Sequence, residues 1–514
     1  MNIANILPQA AARFGDLTAL QSSSGESVSF GELLKRVRQL THCFAHNLQL
    51  KPGDRVAIFM ENRMAYPEIL IGAWHAGLVV VPVNAKLHAR EFEHILESCG
   101  ARIAFLSKKT AAALSETCAG SLCNVINVDD KTYEQCFGGE EADLIERASD
   151  DLAWLFYTSG TTGKPKGAMQ SHRNLRAMLN GFLTNVKAVK PGQAVYHGAP
   201  MSHGGGYYIL PFVANGGYQV IPDSGGFDVE ELCQILSEHK SVSFFAAPTM
   251  VKRLLDRPDL LSERAISGLD NIIYGGGPMY LRDLERAHEI FGYKLVQIYG
   301  QGECPMTITA LSNSQHQDIG HPRYRNRLSS VGQAQSGIEI RIVEPSGKDV
   351  RTGETGEILV RGDAVMLGYW NNPEATASTL SDGWLHTGDV GHLDEDGFLY
   401  LTDRSKDVII SGGSNIYPRE VEEVLLRHPD IKEVSVIGVP DSDWGERVVA
   451  CIATSNGEAC STDDLSQFCA TELARFKLPK EYRFFEELPK NATGKILKTV
   501  LRETISEVRE NGNV

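Results

Sequence analysis

The chain has 514 residues, enough for roughly three domains or subdomains. A composition of 42% hydrophobic and 22% charged residues is ordinary for a globular protein and excludes disorder or a fibre as a description of the whole. Lys and Arg total 50 against 65 Asp and Glu, a formal charge of −15. That argues against bulk attraction to nucleic acid or an anionic membrane and leaves room for a local basic site.

No stretch reaches the ~18 apolar residues of a membrane span; the nearest, 69–83, is short and contains His75. The first residues lack the basic start and apolar core of a signal peptide, and the last, Asn511-Gly512-Asn513-Val514, form no targeting tripeptide. The ten cysteines are scattered without metal-ligand spacing, so they read as reduced thiols of a cytoplasmic protein, with no zinc or iron–sulfur site.

In chain order, 30–50 has helical spacing, Arg55–Met60 reads as a buried strand, 66–76 as a helix and 78–82 as a strand. The alternation recurs with a strand at 153–157, a helix at 230–238 and strands at 243–246, 271–274 and 294–299, which predicts a layered α/β fold with parallel strands. Two of these strands run into the turns Gly275-Gly276-Gly277-Pro278 and Gly300-Gln301-Gly302-Glu303, where open α/β sheets bind ligands. After about 330 short β-rich segments with glycine turns predict an antiparallel subdomain. A polar stretch at 403–407 marks a boundary, placing a large domain at 1–404 and a small α+β domain at 405–514. Within the latter, 418–428 suits a helix with Pro418 in its first turn, and 433–439 and 448–454 suit strands.

The densest chemistry lies in Thr158-Ser159-Gly160-Thr161-Thr162-Gly163-Lys164-Pro165-Lys166-Gly167. Hydroxyls, backbone N–H groups and two lysines in one loop suit a polyphosphate. A kinase-type P-loop is excluded by the Gly spacing and by Pro165 in the place of its magnesium-binding hydroxyl.

This loop resembles the signature of the adenylate-forming superfamily of acyl-CoA synthetases, peptide-synthetase adenylation domains and beetle luciferases. The likeness returns at 299–303, Gly368-Tyr369-Trp370-Asn371, 383–389, 403–418 and 488–495, so it covers nearly the whole chain. It implies a large N-terminal domain and a small mobile C-terminal one. The implied reaction joins a carboxylic acid to ATP as acyl-adenylate with release of pyrophosphate, then transfers the acyl group to coenzyme A. Such chemistry needs positioning and charge neutralisation above all.

By the same resemblance, Thr158, Ser159, Gly160, Thr161, Thr162, Gly163, Lys164 and Lys166 cradle the phosphates, and Glu303 is the carboxylate linked to Mg2+. Gly275, Gly276, Gly277, Pro278, Tyr299, Gly300, Gln301 and Gly302 hold the nucleotide, with the Tyr299 ring stacking on adenine. Asp389 accepts the ribose hydroxyls and Arg404 is a second nucleotide contact. Lys495 is the cation of adenylation, His203 positions the substrate carboxylate, and Lys406 is the hinge. Ser411, Gly412 and Gly413 line the path of coenzyme A. Cys304 is no nucleophile, since the family proceeds through acyl-adenylate, and Asp394 to Gly397 is a hairpin turn, not a calcium loop.

The family turn Tyr-Gly-x-Thr-Glu carries Gly302 in place of Thr, which forgoes a hydroxyl at the α-phosphate; Thr158 and Thr307 are candidates to replace it. The acyl pocket maps to Tyr207, Ala246, Ala247, Met306 and Thr307. No Asp stands where amino-acid-activating domains bind an amine, so an aryl, alicyclic or fatty acid with an uncharged tail is expected. The expected function is thus an acid–CoA ligase; the alternatives are an enzyme that loads a carrier protein and a non-catalytic nucleotide-binding homologue. ATP, Mg2+ and coenzyme A are the expected small-molecule partners, no nucleic acid is expected, and a homodimer is an open option.

Overall fold

A computed structural model describes residues 1–114, 124–158, 165–277, 279–404, 407–411, 414–441, 444–455, 457, 459–491 and 495–510. Two large sheets organise the first three hundred residues. The first has six strands in the order Asn124–Asn127, Ile103–Leu106, Arg55–Met60, Val79–Asn84, Leu152–Thr158 and Lys166–Ser171. All its pairings are parallel except the last, which is antiparallel and brings Thr158 opposite Lys166. The second has nine strands, and its centre is the parallel run Leu295–Gln301, Leu269–Tyr274, Val242–Ala246, Ala194–Tyr196 and Tyr218–Ile221. Parallel strands buried on both faces require continuous apolar runs, and the strand Arg55–Met60 is buried from Val56 onward.

The helix Phe30–His42 starts where Ser29 and Glu32 satisfy one another's backbone N–H groups, and it gives way to a π-helical turn, Cys43–Asn47, within the expected span. The helix Ala65–His75 is buried from Tyr66 onward. Its Glu68 is neutralised by Arg36 at 2.5 Å and by the Tyr133 hydroxyl at 2.8 Å, as a buried carboxylate must be. Trp154 lies between Trp74 and Tyr207, with ring centroids 5.7 and 4.4 Å away, at the heart of the largest core cluster.

A five-stranded antiparallel sheet follows, built on Ile338–Val343, Gly356–Gly362, Trp384–Leu393 and Leu399–Arg404. The turn between its last two strands is closed by the Gly397 N–H on the Asp394 carbonyl, and Arg323 and Arg327 neutralise Asp396, in keeping with the expected hairpin. The C-terminal domain has a separate sheet in the order Ser414–Ile416, Ile409–Ser411, Gly445–Thr454 and Ile431–Asp441, with Glu481–Phe484 parallel to Gly445–Thr454. Its helix Pro418–Leu425 begins with Pro in the first turn. The large domain grips this helix: the Tyr280 hydroxyl donates to Glu422 at 3.1 Å, and the Arg282 guanidinium donates to the carbonyls of Leu426 and Ile431. No helix among the described residues is long and apolar enough to cross a membrane.

Candidate active site

One hairpin organises the site. The strand Leu295–Gln301 turns through Gly302 and Glu303 into the antiparallel strand Cys304–Leu311. Glu303 is 8% exposed, and its Oε1 accepts the Tyr369 hydroxyl at 2.6 Å. Tyr369 is positioned from both sides. The segment 366–370 bonds to the strand Lys166–Ser171 through the Met169 N–H to the Gly368 carbonyl and the Trp370 N–H to the Gly167 carbonyl. It bonds to the hairpin through the Met366 N–H on the Glu303 carbonyl at 2.8 Å. The Lys166 ammonium lies 5.3 Å from the centroid of the Tyr369 ring, within cation–π range. One phenol therefore holds the Lys166 ammonium on its face and the Glu303 carboxylate at its hydroxyl. Burial, with the Glu303 charge beside it, pushes the Tyr369 phenol above its ordinary pKa and keeps it a donor. The motif containing Tyr369 was visible in the sequence, but its role was not.

At the other end of the hairpin, the Tyr299 hydroxyl donates to Asp389 Oδ2 at 2.6 Å, and the Gln301 amide reaches the same oxygen at 3.3 Å and the Thr387 carbonyl at 3.2 Å. Burial and the Asp389 charge raise the Tyr299 phenol well above its ordinary pKa. Tyr299 is 7% exposed and packs in an apolar cluster, and its hydroxyl orients the Asp389 carboxylate, a pairing the sequence did not reveal. Across the sheet Asp389 is in register with Arg404, whose side chain lies outside the described set.

The departure at Gly302 has a packing cause. A Cβ there would lie 2.3 Å from Thr158 Cγ2 and 2.8 Å from the Phe156 ring. Thr158 thus occupies the volume that the family threonine would need. Thr307 is not a replacement: it is 1% exposed and its hydroxyl is committed to the Pro305 carbonyl at 2.5 Å. The rest of the phosphate loop, Ser159, Gly160, Thr161, Thr162, Gly163 and Lys164, falls outside the described residues, as does Pro278. Gly275, Gly276 and Gly277 directly follow the strand Leu269–Tyr274, and Gly300 lies within the strand Leu295–Gln301.

His203 precedes the short helix Gly204–Tyr207, with its ring edge-on to Phe156 at 5.4 Å. Burial lowers its pKa, so the imidazole is neutral, and its Nδ1 is buried without a hydrogen-bond partner among the described residues. Met306 adopts φ 59°, and its Cε lies 2.3 Å from where a Gly204 Cβ would be, so only glycine leaves it room. Ala246 is buried, and Ala247 leads into the helix Pro248–Leu255. Two expected pocket residues face elsewhere. Tyr207 stacks on Trp154 in the core, and the methyl of Thr307 packs toward Gly181. The neighbour Tyr208 is instead the residue beside Phe245, at 5.6 Å, and with Val195, His197, Ala199 and Gly205 it lines a slot too narrow for water. Cys304 is fully buried and its thiol is pushed far up by burial, which leaves no thiolate for covalent chemistry.

On the C-terminal domain, Lys495 is exposed at the closed base of a loop: its N–H donates to Asn491 Oδ1 at 2.9 Å and its carbonyl accepts the Asn491 N–H at 2.8 Å. Ser411 is buried and pairs with Ser414, whereas Gly412, Gly413 and Lys406 lie outside the described residues.

The chain matches the family model "AMP-binding enzyme" over residues 7–370 and "AMP-binding enzyme C-terminal domain" over 420–495. It belongs to the AMP-binding enzyme family. It is 35% identical to a feruloyl-CoA synthase of Amycolatopsis sp, with 96% of this chain and 97% of that one covered. It is 33% identical to a long-chain-fatty-acid–CoA ligase of Bacillus subtilis (strain 168), with 99% and 95% covered. Among solved structures it superposes on ATP-bound MatB of Rhodopseudomonas palustris with TM-score 0.89 at 28% identity, covering 99% of this chain and 100% of that one. Against the apo form of the same protein the TM-score is 0.79, with the same coverage. The chain is an AMP-forming acid–thiol ligase that uses ATP and coenzyme A as substrates.

Proposed function

We propose that this ligase activates an aryl carboxylic acid with an uncharged tail, through an acyl-adenylate, and transfers it to coenzyme A. The observation that carries the reading is the hairpin 299–303, which ties a ribose-directed carboxylate at one end to a metal-directed carboxylate at the other through Tyr299 and Tyr369. Catalysis of adenylyl transfer from ATP to a carboxylate, with pyrophosphate leaving, is mostly a matter of holding such charges in place before the reaction starts. Mg2+ fits the donor set: Glu303 is a largely buried carboxylate with one oxygen held by Tyr369, and Mg2+ favours a single carboxylate together with substrate phosphates. When bound, it neutralises phosphate charge; Lys166 and the 158–164 loop supply the remaining positive and N–H character.

Lys495 supplies the charge for adenylation, and Ser411, Gly412 and Gly413 receive the thiol arm. A boundary at 404/405 is supported by the strands Leu399–Arg404 and Ile409–Ser411 on either side of it, which belong to different sheets. The better match to the ATP-bound than to the apo form of one relative supports an adenylation-like arrangement of the two domains. Neutral His203, with Phe156 beside it, orients the substrate carboxylate without adding a charge to the cleft.

An aryl tail is favoured over a fatty one by the relative named feruloyl-CoA synthase, 35% identical to this chain, and not by an open cavity, since the slot between Tyr208 and Phe245 is too narrow for water. Seven of the eight described cysteines are buried, which supports a reducing, cytoplasmic setting.

The test is pyrophosphate release with ATP and Mg2+ over hydroxylated cinnamates, benzoates and straight-chain acids, with and without coenzyme A. Acid-dependent release with coenzyme A consumed, strongest for hydroxylated aryl acids, is expected. Strongest turnover of long-chain acids would overturn the aryl assignment, and release without coenzyme A consumption would point to a carrier protein as acceptor.

A further inference from the structure

Outside the catalytic cleft, three side chains of different donor chemistry meet on the C-terminal domain. His428 and Asp430 flank Pro429 in the turn after the helix Pro418–Leu425, and Cys460 stands just before the helix Thr462–Ala470. One ligand atom of each, an imidazole nitrogen, a carboxylate oxygen and a thiol sulfur, lies within 4.8 Å of the other two. No spacing in the sequence suggested this, because thirty residues and two strands separate Asp430 from Cys460.

The arrangement is built by contacts that need no ion. The imidazole ring is wedged edge-on against Phe468 at 5.2 Å. His428 Nδ1 faces Asp430, 4.0 Å from Oδ2, and it accepts the Asp430 N–H at 3.4 Å, so its lone pair points to the Asp430 side. The Asp430 carbonyl accepts the Ser455 N–H at 2.9 Å, tying the turn to the segment that leads to Cys460. Cys460 is the only cysteine among the described residues that is not buried.

We propose that His428, Asp430 and Cys460 form a site for a thiophilic divalent cation of the zinc class, with water completing the coordination. Mixed nitrogen, oxygen and sulfur donors suit zinc and its spectroscopic substitute cobalt, and exclude magnesium and calcium, which require oxygen. Ligand distances of roughly 2.0–2.3 Å keep donors about 3.3–3.8 Å apart around a tetrahedral ion, so side-chain rotations of about 1 Å close the cluster. Cys460 binds the ion as the thiolate: the S–H bond breaks, the sulfur–metal bond forms, and the proton passes to solvent. The turn involved, Leu426 to Ile431, is the one whose carbonyls Arg282 of the large domain holds. An ion there stiffens the surface by which the two domains meet.

The experiment uses the full chain, stripped with a chelator and titrated with Co2+. The expected result is one equivalent bound, with a thiolate-to-cobalt absorption band that zinc abolishes by displacement. Cys460→Ser should remove the band. His428→Ala and Asp430→Asn should each weaken binding by at least roughly 10-fold, the least that even outer-shell changes cost a metal site. Asp430 is mostly exposed, so Asp430→Asn tests the site without endangering the fold. The band should survive Cys118→Ser/Cys123→Ser, which removes the two cysteines outside the described residues. Absence of a band, or a band that persists in Cys460→Ser, would overturn the proposal.

Discussion

The two domains contribute to the site in different ways. The large domain presents Glu303 and Asp389, each less than a tenth exposed and each held by a tyrosine hydroxyl at 2.6 Å. In the C-terminal domain Lys495 is exposed. Groups that must keep one geometry are buried and bonded to several strands at once; the group that arrives from another domain is not. On the proposed function, electrostatic preorganisation belongs to the large domain and delivery of charge to the small one.

Acid separates the two regions most strongly. His75, His172, His197 and His316 of the large domain are all at most 2% exposed, and burial depresses their pKa values, the first three to about 4 and His316 to about 3. Below an unfolded value near 6.5, the unfolded chain takes up protons that the folded one refuses. Stability therefore falls as pH falls from about 6.5 toward 4, at a limiting slope of about 1.4 kcal/mol per pH unit for each such histidine. The C-terminal region has one histidine, His428, which is partly exposed. Four of the five tryptophans lie in the large domain. Tryptophan-detected melting should lose several kcal/mol of stability between pH 7 and 5; a Tm that stays flat over that range would refute neutral burial of these rings.

The next largest effect concerns delivery. Lys495→Ala should slow acyl-adenylate formation by more than ~10²-fold and leave thioester formation from supplied acyl-adenylate nearly unchanged. Single-turnover measurement of both halves decides it. Equal losses would mean that Lys495 acts in both, and the division of labour between domains would fail. Within the large domain, Tyr369→Phe removes one hydroxyl and keeps the ring face over Lys166. Loss of a hydrogen bond to a buried carboxylate corresponds to roughly 10-fold in kcat/KM for ATP, with a raised Mg2+ requirement as the sign that Glu303 has been disturbed. Unchanged magnesium dependence would reduce Tyr369 to a packing role.

Much of this was legible in the sequence. The strand Arg55–Met60 and its successors follow from apolar runs between glycine turns, and Glu303, Asp389 and Lys495 follow from ordered motifs. The partners were not legible. Tyr299 meets Asp389 across 90 residues and Tyr369 meets Glu303 across 66, and such pairings are set by how sheets pack. Tyr207 and Tyr208 show the limit at short range: neighbours along the chain, they point to the core and to Phe245, and only the packed helix distinguishes them.

The smallest expected effect tests whether the Gly302 departure is a packing exchange. Introducing threonine at 302 places a Cβ 2.3 Å from Thr158 Cγ2, an overpacking that costs about 1–3 kcal/mol in a well-filled site. Gly302→Thr alone should lower Tm and activity together. Thr158→Ala opens the same volume, so the double variant should recover part of the loss, with a coupling of about 1 kcal/mol between the two positions. Additive losses would show that the two residues do not share a space, and that Thr158 does not stand in for the family threonine. Recovery of stability without recovery of the KM for ATP would separate the two questions: the volume is exchanged, but the Thr158 hydroxyl performs a phosphate contact that a threonine at 302 cannot restore.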